Sequence, residues 1–397
     1  MKCNQIAQQY GNMKNSTPSD FDASALPFDS NDMARGLRRW VEQESPSYDQ
    51  PAVERMLALA ARDLAVLGAD IQHVAGSGGF AGSVKATFPH PRKGEPGILI
   101  AGHMDTVHPA GTLAHFGWRE EGELCFGPGV LDMKAGNYLS VEAIRQLQRA
   151  GRTTPLPVTV LFTGDEEVGT PANRALIEAE ARRSRYVLVP EPARRNGGVV
   201  TGRYAIARFN LTTRGLPSHA GLRLDEGRSA VREMAHQILA IEALTDDEAG
   251  FNVGVVHGGQ WANCVATHCE AKVLVSATTD EVLARAVERM LALKPVNPAV
   301  DVQVERDVVR PVWTTNDETW ALYDHASALA RSLGFEIPHQ NSGGGSDGNF
   351  TGALGVPTLD GLGARGDGPH TLTEHIVTES LAERGRLMAA LLATLGA

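Results

Sequence analysis

The sequence predicts a two-domain α/β protein in which a smaller α+β domain interrupts a larger one. At 397 residues the chain exceeds the size at which one hydrophobic core usually keeps growing. Apolar strands alternate with helices up to about residue 205, which is typical of α/β construction. From 206 to 310 the strands alternate between polar and apolar residues, and the earlier pattern then returns.

The first part of the chain alternates helical and strand patterns. Two helices are predicted at "NDMARGLRRWVEQE" and "QPAVERMLALAARDLAVLGA". Strands follow at "ADIQHV", "SVKATF", "GILIAGH", "PVTVLFTG" and "YVLVPEP", and helices over "MKAGNYLSVEAIRQLQRAG" and "PANRALIEAEARR" separate the later ones. Apolar strands of this kind indicate a sheet covered by helices on both faces. Ligands of such folds bind where the strands end in loops.

The segment 206–310 has its own pattern. Strands are predicted at "YAIARFNLTTRG", "CEAKVLVSAT" and "AVDVQVER", and helices at "SAVREMAHQILAIEAL" and "DEVLARAVERMLAL". Two helices among about four strands indicate a ferredoxin-like sandwich. Residues 21–205 and 311–397 therefore form the larger domain, and the later part contains a glycine-rich turn, "NSGGGSDGNF", and a final helix. Residues 1–20, rich in Asn, Gln and Ser, are expected to be a mobile arm.

Composition limits the possible partners and the compartment. The formal net charge of -10 argues against nucleic acid or an anionic membrane as the main partner and favours a small molecule or peptide. Four scattered cysteines do not form a disulfide framework. No segment is long and apolar enough to predict a signal peptide or a membrane span. A cytoplasmic protein is expected.

Three acids, Asp165, Glu166 and Glu167, stand where the predicted strand "PVTVLFTG" ends. Carboxylates held together in a crevice repel one another and need a cation, a shared proton or open water. The simplest alternative is a solvated loop, because Asp and Glu favour helix N-termini and a helix follows Pro171. This stretch alone leaves both interpretations open.

Other candidate ligands follow two more apolar strands and two loops. His103 and Asp105 end "GILIAGHMD" and point the same way on an extended chain, and Glu191 ends "YVLVPEP". Singly, His103 could lie in a surface turn, Asp132 could cap the following helix, and His370 could be an ordinary surface histidine. Together with the acid cluster, two histidines and several carboxylates without cysteine indicate a site for zinc, cobalt or manganese.

The order and spacing of the motifs resemble the dinuclear zinc peptidase family that contains carboxypeptidase G, acetylornithine deacetylase, succinyl-diaminopimelate desuccinylase and aminoacylase. The resemblance runs from "GHMDTV" through "GPGVLDMKAG", "TGDEEVGT", "VPEP", "GLPSHAG" and "GGGSDGNF" to "HTLTEH". It implies a zinc-peptidase-like catalytic domain with a mixed central sheet, interrupted by a lid and dimerisation domain. It also implies two divalent ions, one bound by His103, Asp132 and Glu191 and the other by Asp132, Glu167 and His370.

The resemblance also implies roles for residues that do not bind metal. Glu166 would be the general base, Asp105 would orient His103, and Asp165 would be structural. A cis peptide bond would follow Asp132. His219 would cross a dimer interface to stabilise the oxyanion of the tetrahedral intermediate, although an exposed turn is the simpler interpretation of this histidine.

Three further residues are expected to bind substrate by the same resemblance, namely Asn263, Arg310 and Gly345. The chain departs from the family at a lid position where an arginine is common, because Ser276 stands there. Lys272 nearby is not equivalent, since a lysine cannot bind a carboxylate with two nitrogens as an arginine can. This departure puts the release of glutamate in doubt, but it leaves the metal ligands unchanged.

The function predicted from the sequence is hydrolysis of an amide bond in an N-acyl amino acid or short peptide with a free carboxylate. The enzyme would be a cytoplasmic homodimer that pairs through its lid domain. One alternative is hydrolysis of another C–N bond, such as removal of an amine from a carboxylated aromatic. A second alternative is a non-catalytic metal-binding scaffold, which would have no need of Glu166 as a base.

Overall fold

The computed structural model describes residues 21–397, so the arm predicted for residues 1–20 lies outside the described residues. Its largest sheet has eight strands in the order β1-β2-β6-β3-β7-β14-β8-β13. The central strands β6, β3, β7 and β14 run parallel, whereas β1 and β2 are antiparallel. The strands of this sheet are β1 (Asp70–Val74), β2 (Ser83–Thr87), β3 (Gly97–His103), β6 (Val158–Thr163), β7 (Ser184–Val189), β8 (Val199–Arg203), β13 (His339–Ser342) and β14 (Thr358–Asp360).

Helices cover both faces of this sheet, and the strand β3 shows how the sequence arranges this. Ile98 and Ile100 pack into one hydrophobic cluster, and Leu99 and Ala101 pack into another, because successive strand residues point to opposite faces. The helices of this domain are α1 (Ser30–Val41), α2 (Gln50–Val66), α3 (Ala135–Arg149), α4 (Arg174–Arg182), α7 (Asp317–Ser332), α8 (Gly348–Ala353) and α9 (Ser380–Thr394). Among the described residues, no helix is long and apolar enough to cross a membrane.

The second sheet belongs to the smaller domain and is antiparallel throughout, in the order β10-β11-β9-β12. Its elements are β9 (Ala205–Arg214), α5 (Ala230–Glu242), β10 (Ala249–Gly258), β11 (His268–Ala277), α6 (Asp280–Leu291) and β12 (Asp301–Arg310). Both helices pack on one face of the sheet, with Phe209, Met234 and Met290 in the shared core. This succession and strand order are those of a ferredoxin-like sandwich, as the sequence predicts.

Sequence patterns did not reveal several short or exposed strands. Strand β10 was missed because six of its ten residues are exposed, and because polar residues and glycines break its alternation. A third sheet, in the order β15-β16-β5-β4, was missed because each of its strands has at most three residues. These strands are β4 (Arg119–Glu121), β5 (Leu124–Phe126), β15 (Gly366–Asp367) and β16 (His375–Val377). This sheet joins the chain before α3 to the chain before α9.

Gly136 lets helix α3 approach the end of β7 closely, and it provides a test of this packing. A β-carbon at position 136 would overlap the carbonyl oxygen of Pro190, the residue before Glu191. We expect Gly136→Ala to lower the stability of the protein by about 1–3 kcal/mol, because backbone cannot yield as a flexible side chain can. Thermal unfolding would measure the change.

The control for this prediction is Arg149→Ala, at an exposed position of the same helix. It should change stability by no more than about 0.5 kcal/mol. Equal unfolding temperatures for Gly136→Ala and the unmodified protein would show that α3 does not lie this close to Pro190.

Candidate metal centre

Three neighbouring parallel strands end at one edge of the large sheet, and each delivers candidate ligands there. His103 is the last residue of β3, Glu166 and Glu167 follow β6, and Glu191 follows β7. Because β6, β3 and β7 lie side by side, residues distant in sequence meet at this edge. Asp132 joins them from the turn that precedes α3.

The predicted ligands form two overlapping sets of three. His103, Asp132 and Glu191 form one set, and Asp132, Glu167 and His370 form the other; the ligand atoms within each set all lie within 4.8 Å of one another. Asp132 belongs to both, because its Oδ1 lies 3.2 Å from His103 Nε2 and its Oδ2 lies 3.2 Å from His370 Nε2. The structure therefore brings together all five residues that the sequence nominated.

The backbone is unusual at two of these ligands. His370 has a φ of 64°, in the left-handed region that residues other than glycine rarely adopt. Such outliers cluster at functional sites, where the surrounding structure holds them. The peptide bond between Asp132 and Met133 is cis, as the family resemblance implied.

Asp105 organises the loops beneath the site. Its carboxylate accepts hydrogen bonds from the backbone N–H groups of Glu166 (3.1 Å) and Glu167 (3.2 Å) and from the Ser47 hydroxyl (2.7 Å). His103 Nδ1 lies 3.0 Å from the Asp105 carbonyl oxygen and 3.4 Å from its carboxylate. The carbonyl oxygen has the shorter distance and forms the hydrogen bond, so Asp105 orients the ring through its backbone and orders the Glu166–Glu167 loop through its side chain.

Asp165, the third acid of the cluster, points away from both sets. Its carboxylate accepts hydrogen bonds from the backbone N–H of Ala172 (2.6 Å) and from the backbone (3.3 Å) and side-chain (2.7 Å) amides of Asn173. It therefore ties the acidic loop to the start of α4, which is a structural role.

The electrostatics of the site favour a cation. Burial and the neighbouring Asp132 carboxylate raise the pKa of Glu167 to about 7 and hold the pKa of Glu191 well above its usual value. Hydrogen bonds to Asp132 and Glu167 raise the pKa of His370 to about 11. Glu167 Oε1 is buried without a hydrogen-bond partner. Carboxylate oxygens and imidazole nitrogens are ligands that divalent cations bind, and a bound cation would give the buried Glu167 oxygen a partner.

Arg310 was expected to bind substrate, and the structure places it beside Glu166. The guanidinium lies 2.8 Å from Glu166 Oε1 and 3.0 Å from Asp347 Oδ1, and it donates a 2.9 Å hydrogen bond to the Thr170 hydroxyl. Its side chain is only 4% exposed. Gly345 packs beside it, since a β-carbon there would touch the arginine side chain. Asp347 and Thr170 were not nominated from the sequence, although both lie in motifs that were quoted.

The residues predicted on the small domain belong to neither ligand set, and their backbone contacts are with that domain. His219 is exposed and forms an isolated β-bridge with Cys264, and the Asn263 carbonyl accepts a 2.9 Å hydrogen bond from Ala220 N–H. His219 and Asn263 are thus near each other on one loop pair. Ser276 lies on β11, opposite Ile206 of β9.

An α/β domain that gathers two histidines and several carboxylates at the ends of parallel strands has the construction of a metal-dependent hydrolase. The chain belongs to Peptidase family M20/M25/M40, whose sequence profile matches residues 99–394. The family predicted from the motifs is therefore confirmed. The chain is an enzyme, a hydrolase of a metallopeptidase family, and membership implies divalent metal ions.

Individual relatives agree with this assignment. Carboxypeptidase G2 from Pseudomonas sp. (strain RS-16) is 29% identical over 312 residues, covering 77% of this chain and 75% of the relative. Human carnosine dipeptidase 1 superposes with a TM-score of 0.75 at 15% identity, over 92% of this chain and 97% of that one. The M20 family metallo-carboxypeptidase Sso-CP2 from Sulfolobus solfataricus superposes with a TM-score of 0.72 at 15% identity. The superposition covers 93% of this chain and 100% of that one. These structural matches confirm the predicted fold class.

The pKa values predict how the stability of the metal-free protein depends on pH. The pKa of Glu167 rises from 4.5 to about 7 on folding, and that of His370 rises from 6.5 to about 11. The folded protein therefore binds more protons than the unfolded chain near neutral pH, and the associated stability is lost as the pH rises. With a chelator present, the unfolding temperature should fall between about pH 5 and about pH 8.

Thermal unfolding at several pH values would measure this slope. Glu167→Gln should make it shallower, because the variant removes one of the raised pKa values. An unfolding temperature that rises across the same interval would contradict the electrostatic description of the site.

Proposed function

We propose that the protein is a dinuclear zinc hydrolase that cleaves the amide bond of an N-acyl amino acid or short peptide with a free carboxylate. The observation that carries this proposal is the pair of ligand sets that share Asp132, with Glu166 beside them but in neither set. A scaffold that only bound metal would gain nothing from an additional buried carboxylate at this point.

One ion would be held by His103, Asp132 and Glu191 and the other by Asp132, Glu167 and His370. When bound, divalent cations there would polarise the scissile carbonyl group and increase the acidity of water. Zinc suits the mixture of imidazole and carboxylate donors, and cobalt or manganese would be accepted by the same atoms.

Glu166 is the proposed general base. Its Oε2 lies 4.0 Å from His103 Nε2, and its Oε1 lies 2.8 Å from the Arg310 guanidinium, so the carboxylate is held at the edge of the ligand cluster. It would accept a proton from the attacking water and donate that proton to the leaving amine. Asp105 supports this role because it accepts the hydrogen bond from the Glu166 backbone N–H.

The small domain is the proposed lid and dimerisation domain, consisting of residues 206–310. His219 is exposed there and would stabilise the oxyanion of the tetrahedral intermediate in the active site of a second subunit. Exposed apolar side chains near it, Leu216 (52% exposed), Leu222 (79%) and Trp261 (71%), fit a surface that becomes buried in a homodimer. Asn263 on the same loops is a proposed substrate ligand.

The proposed substrate class rests on the relatives and on the available cations. Carboxypeptidase G2 is a carboxypeptidase by name, and that class of enzyme acts at residues with a free carboxylate. With Ser276 at the lid position of the usual arginine, the substrate carboxylate needs another partner. Arg310 and the backbone of Gly345 are the proposed partners, and Arg310 would have to exchange part of its contact with Glu166 or Asp347.

The proposed compartment is the cytoplasm. Cys125, Cys264 and Cys269 are free thiols, which fits a reducing environment.

Glu166→Gln separates catalysis from metal binding. The variant cannot accept the proton but leaves all five proposed ligands in place, so we expect it to bind two metal ions per chain and to lose about 10²- to 10⁴-fold in kcat. Elemental analysis and steady-state kinetics would measure the two properties.

Glu123→Gln, at an exposed position of the third sheet's hairpin, is the matched control and should retain full activity. Loss of metal together with activity in Glu166→Gln would contradict the assignment of Glu166 as the base.

A hydrolysis screen tests the substrate class. The protein loaded with zinc, cobalt or manganese would be incubated with N-acyl amino acids, dipeptides, their carboxyl-amidated forms and carboxylated aromatic amines. We expect release from the amide substrates with a free carboxylate and a large rise in KM when that carboxylate is amidated. Turnover confined to the aromatic amines would replace the proposal with hydrolysis of another C–N bond.

A further inference from the structure

Glu374 is a wholly buried acid that the proposed mechanism does not use. It follows the proposed ligand His370 by four residues, within the motif "HTLTEH". A buried carboxylate is costly unless its lone pairs are satisfied by donors. Its environment therefore indicates what it contributes to the protein.

Each oxygen of the Glu374 carboxylate has two donors. Oε1 accepts hydrogen bonds from the backbone N–H groups of Leu131 (2.8 Å) and Asp132 (2.9 Å). Oε2 accepts one from Gly129 N–H (2.9 Å) and lies 2.7 Å from His108 Nε2. Hydrogen bonds to an ionised acceptor are roughly twice as strong as neutral ones, so this arrangement fixes the backbone around Asp132 firmly.

These contacts connect three separate parts of the site. His108 lies on the loop that begins at His103, and the three backbone donors lie on the turn that contains Asp132. Glu374 itself lies on the loop that carries His370. One carboxylate therefore connects loops that carry ligands of both proposed ions, including Asp132, which belongs to both sets.

We propose that Glu374 is a positioning residue that holds the Asp132 turn in the geometry required to bind both metal ions. The inference rests on the proposed metal centre. Glu374 touches none of the reacting atoms in this account, and it acts through the backbone of Asp132. Mutation of a residue that orients a metal ligand commonly lowers metal affinity or activity by roughly 10- to 100-fold.

The chemistry of the contact requires a carboxylate and not its amide. Glutamine at position 374 would be nearly isosteric, but its NH₂ group would face two donors in place of an acceptor oxygen. At least one of the four hydrogen bonds would be lost, and a buried backbone N–H group would be left unsatisfied. The glutamine NH₂ group and the backbone N–H group opposite it would repel each other. The turn would then shift and displace Asp132.

The experiment compares the unmodified protein with Glu374→Gln and with Glu379→Gln, which removes an exposed carboxylate from the same segment. Metal affinity is measured on folded protein by competition with a chromophoric chelator for Zn²⁺. The visible absorption spectrum of the Co²⁺-loaded proteins reports the coordination geometry independently of activity. Circular dichroism establishes that each variant is folded before either measurement.

We expect Glu374→Gln to bind metal about 10- to 100-fold more weakly and to change the Co²⁺ spectrum, while Glu379→Gln matches the unmodified protein. A folded Glu374→Gln with unchanged affinity and an unchanged spectrum would overturn the inference, since a residue that only stabilises the fold would change neither. If the unmodified protein itself bound no metal, the proposed function would fail instead.

A second variant decides the question if Glu374→Gln does not fold. His108→Leu removes one of the four donors and leaves the carboxylate and the backbone contacts in place. We expect it to weaken metal binding by less than Glu374→Gln would and to alter the Co²⁺ spectrum in the same direction. Unchanged affinity and spectrum in folded His108→Leu would then overturn the inference.

Discussion

The mutual repulsion of buried carboxylates around Asp132 is the constraint on which the rest of this site depends. Glu166, Glu167 and Glu191 are brought beside Asp132 in a region where burial raises each of their pKa values. Burying several carboxylates together costs free energy, because they repel one another and lose their hydration. Nearby positive charge offsets this cost. In the described structure that charge comes from two histidines and Arg310, and in the proposed enzyme metal ions would add to it.

The scaffold keeps these acids together because hydrogen bonds to buried carboxylates hold their backbones. Asp105 accepts hydrogen bonds from the N–H groups of Glu166 and Glu167, and Glu374 does the same for the turn of Asp132. Gly136 allows α3 to lie against Pro190, which brings the Asp132 turn close to Glu191. Buried acids outside the proposed ligand sets thus use their charge to order the loops that carry the ligands.

Arg310 illustrates how one side chain can serve several neighbours. It contacts Glu166, Asp347 and Thr170, so it links the acidic loop after β6 to the glycine-rich turn before α8. The sequence nominated it for a substrate carboxylate, and an arginine paired with two protein carboxylates can bind a third only by exchanging a contact. Arg310 is the last residue of β12, so it lies where the chain leaves the small sheet and returns to the elements of the large one.

The sequence by itself determined the α/β fold class and the family, and it nominated His103, Asp132, Glu167, Glu191 and His370 as metal ligands, because strand patterns and motif spacing are local properties of a chain. It did not reveal β10 or the short strands of the third sheet, whose pairing depends on neighbours distant in sequence. Only the tertiary structure decided that Arg310 lies against Glu166 and that Glu374 holds the Asp132 turn. A side chain's partner is set by packing across the fold, and residues 132 and 374 meet only after the sheet has assembled.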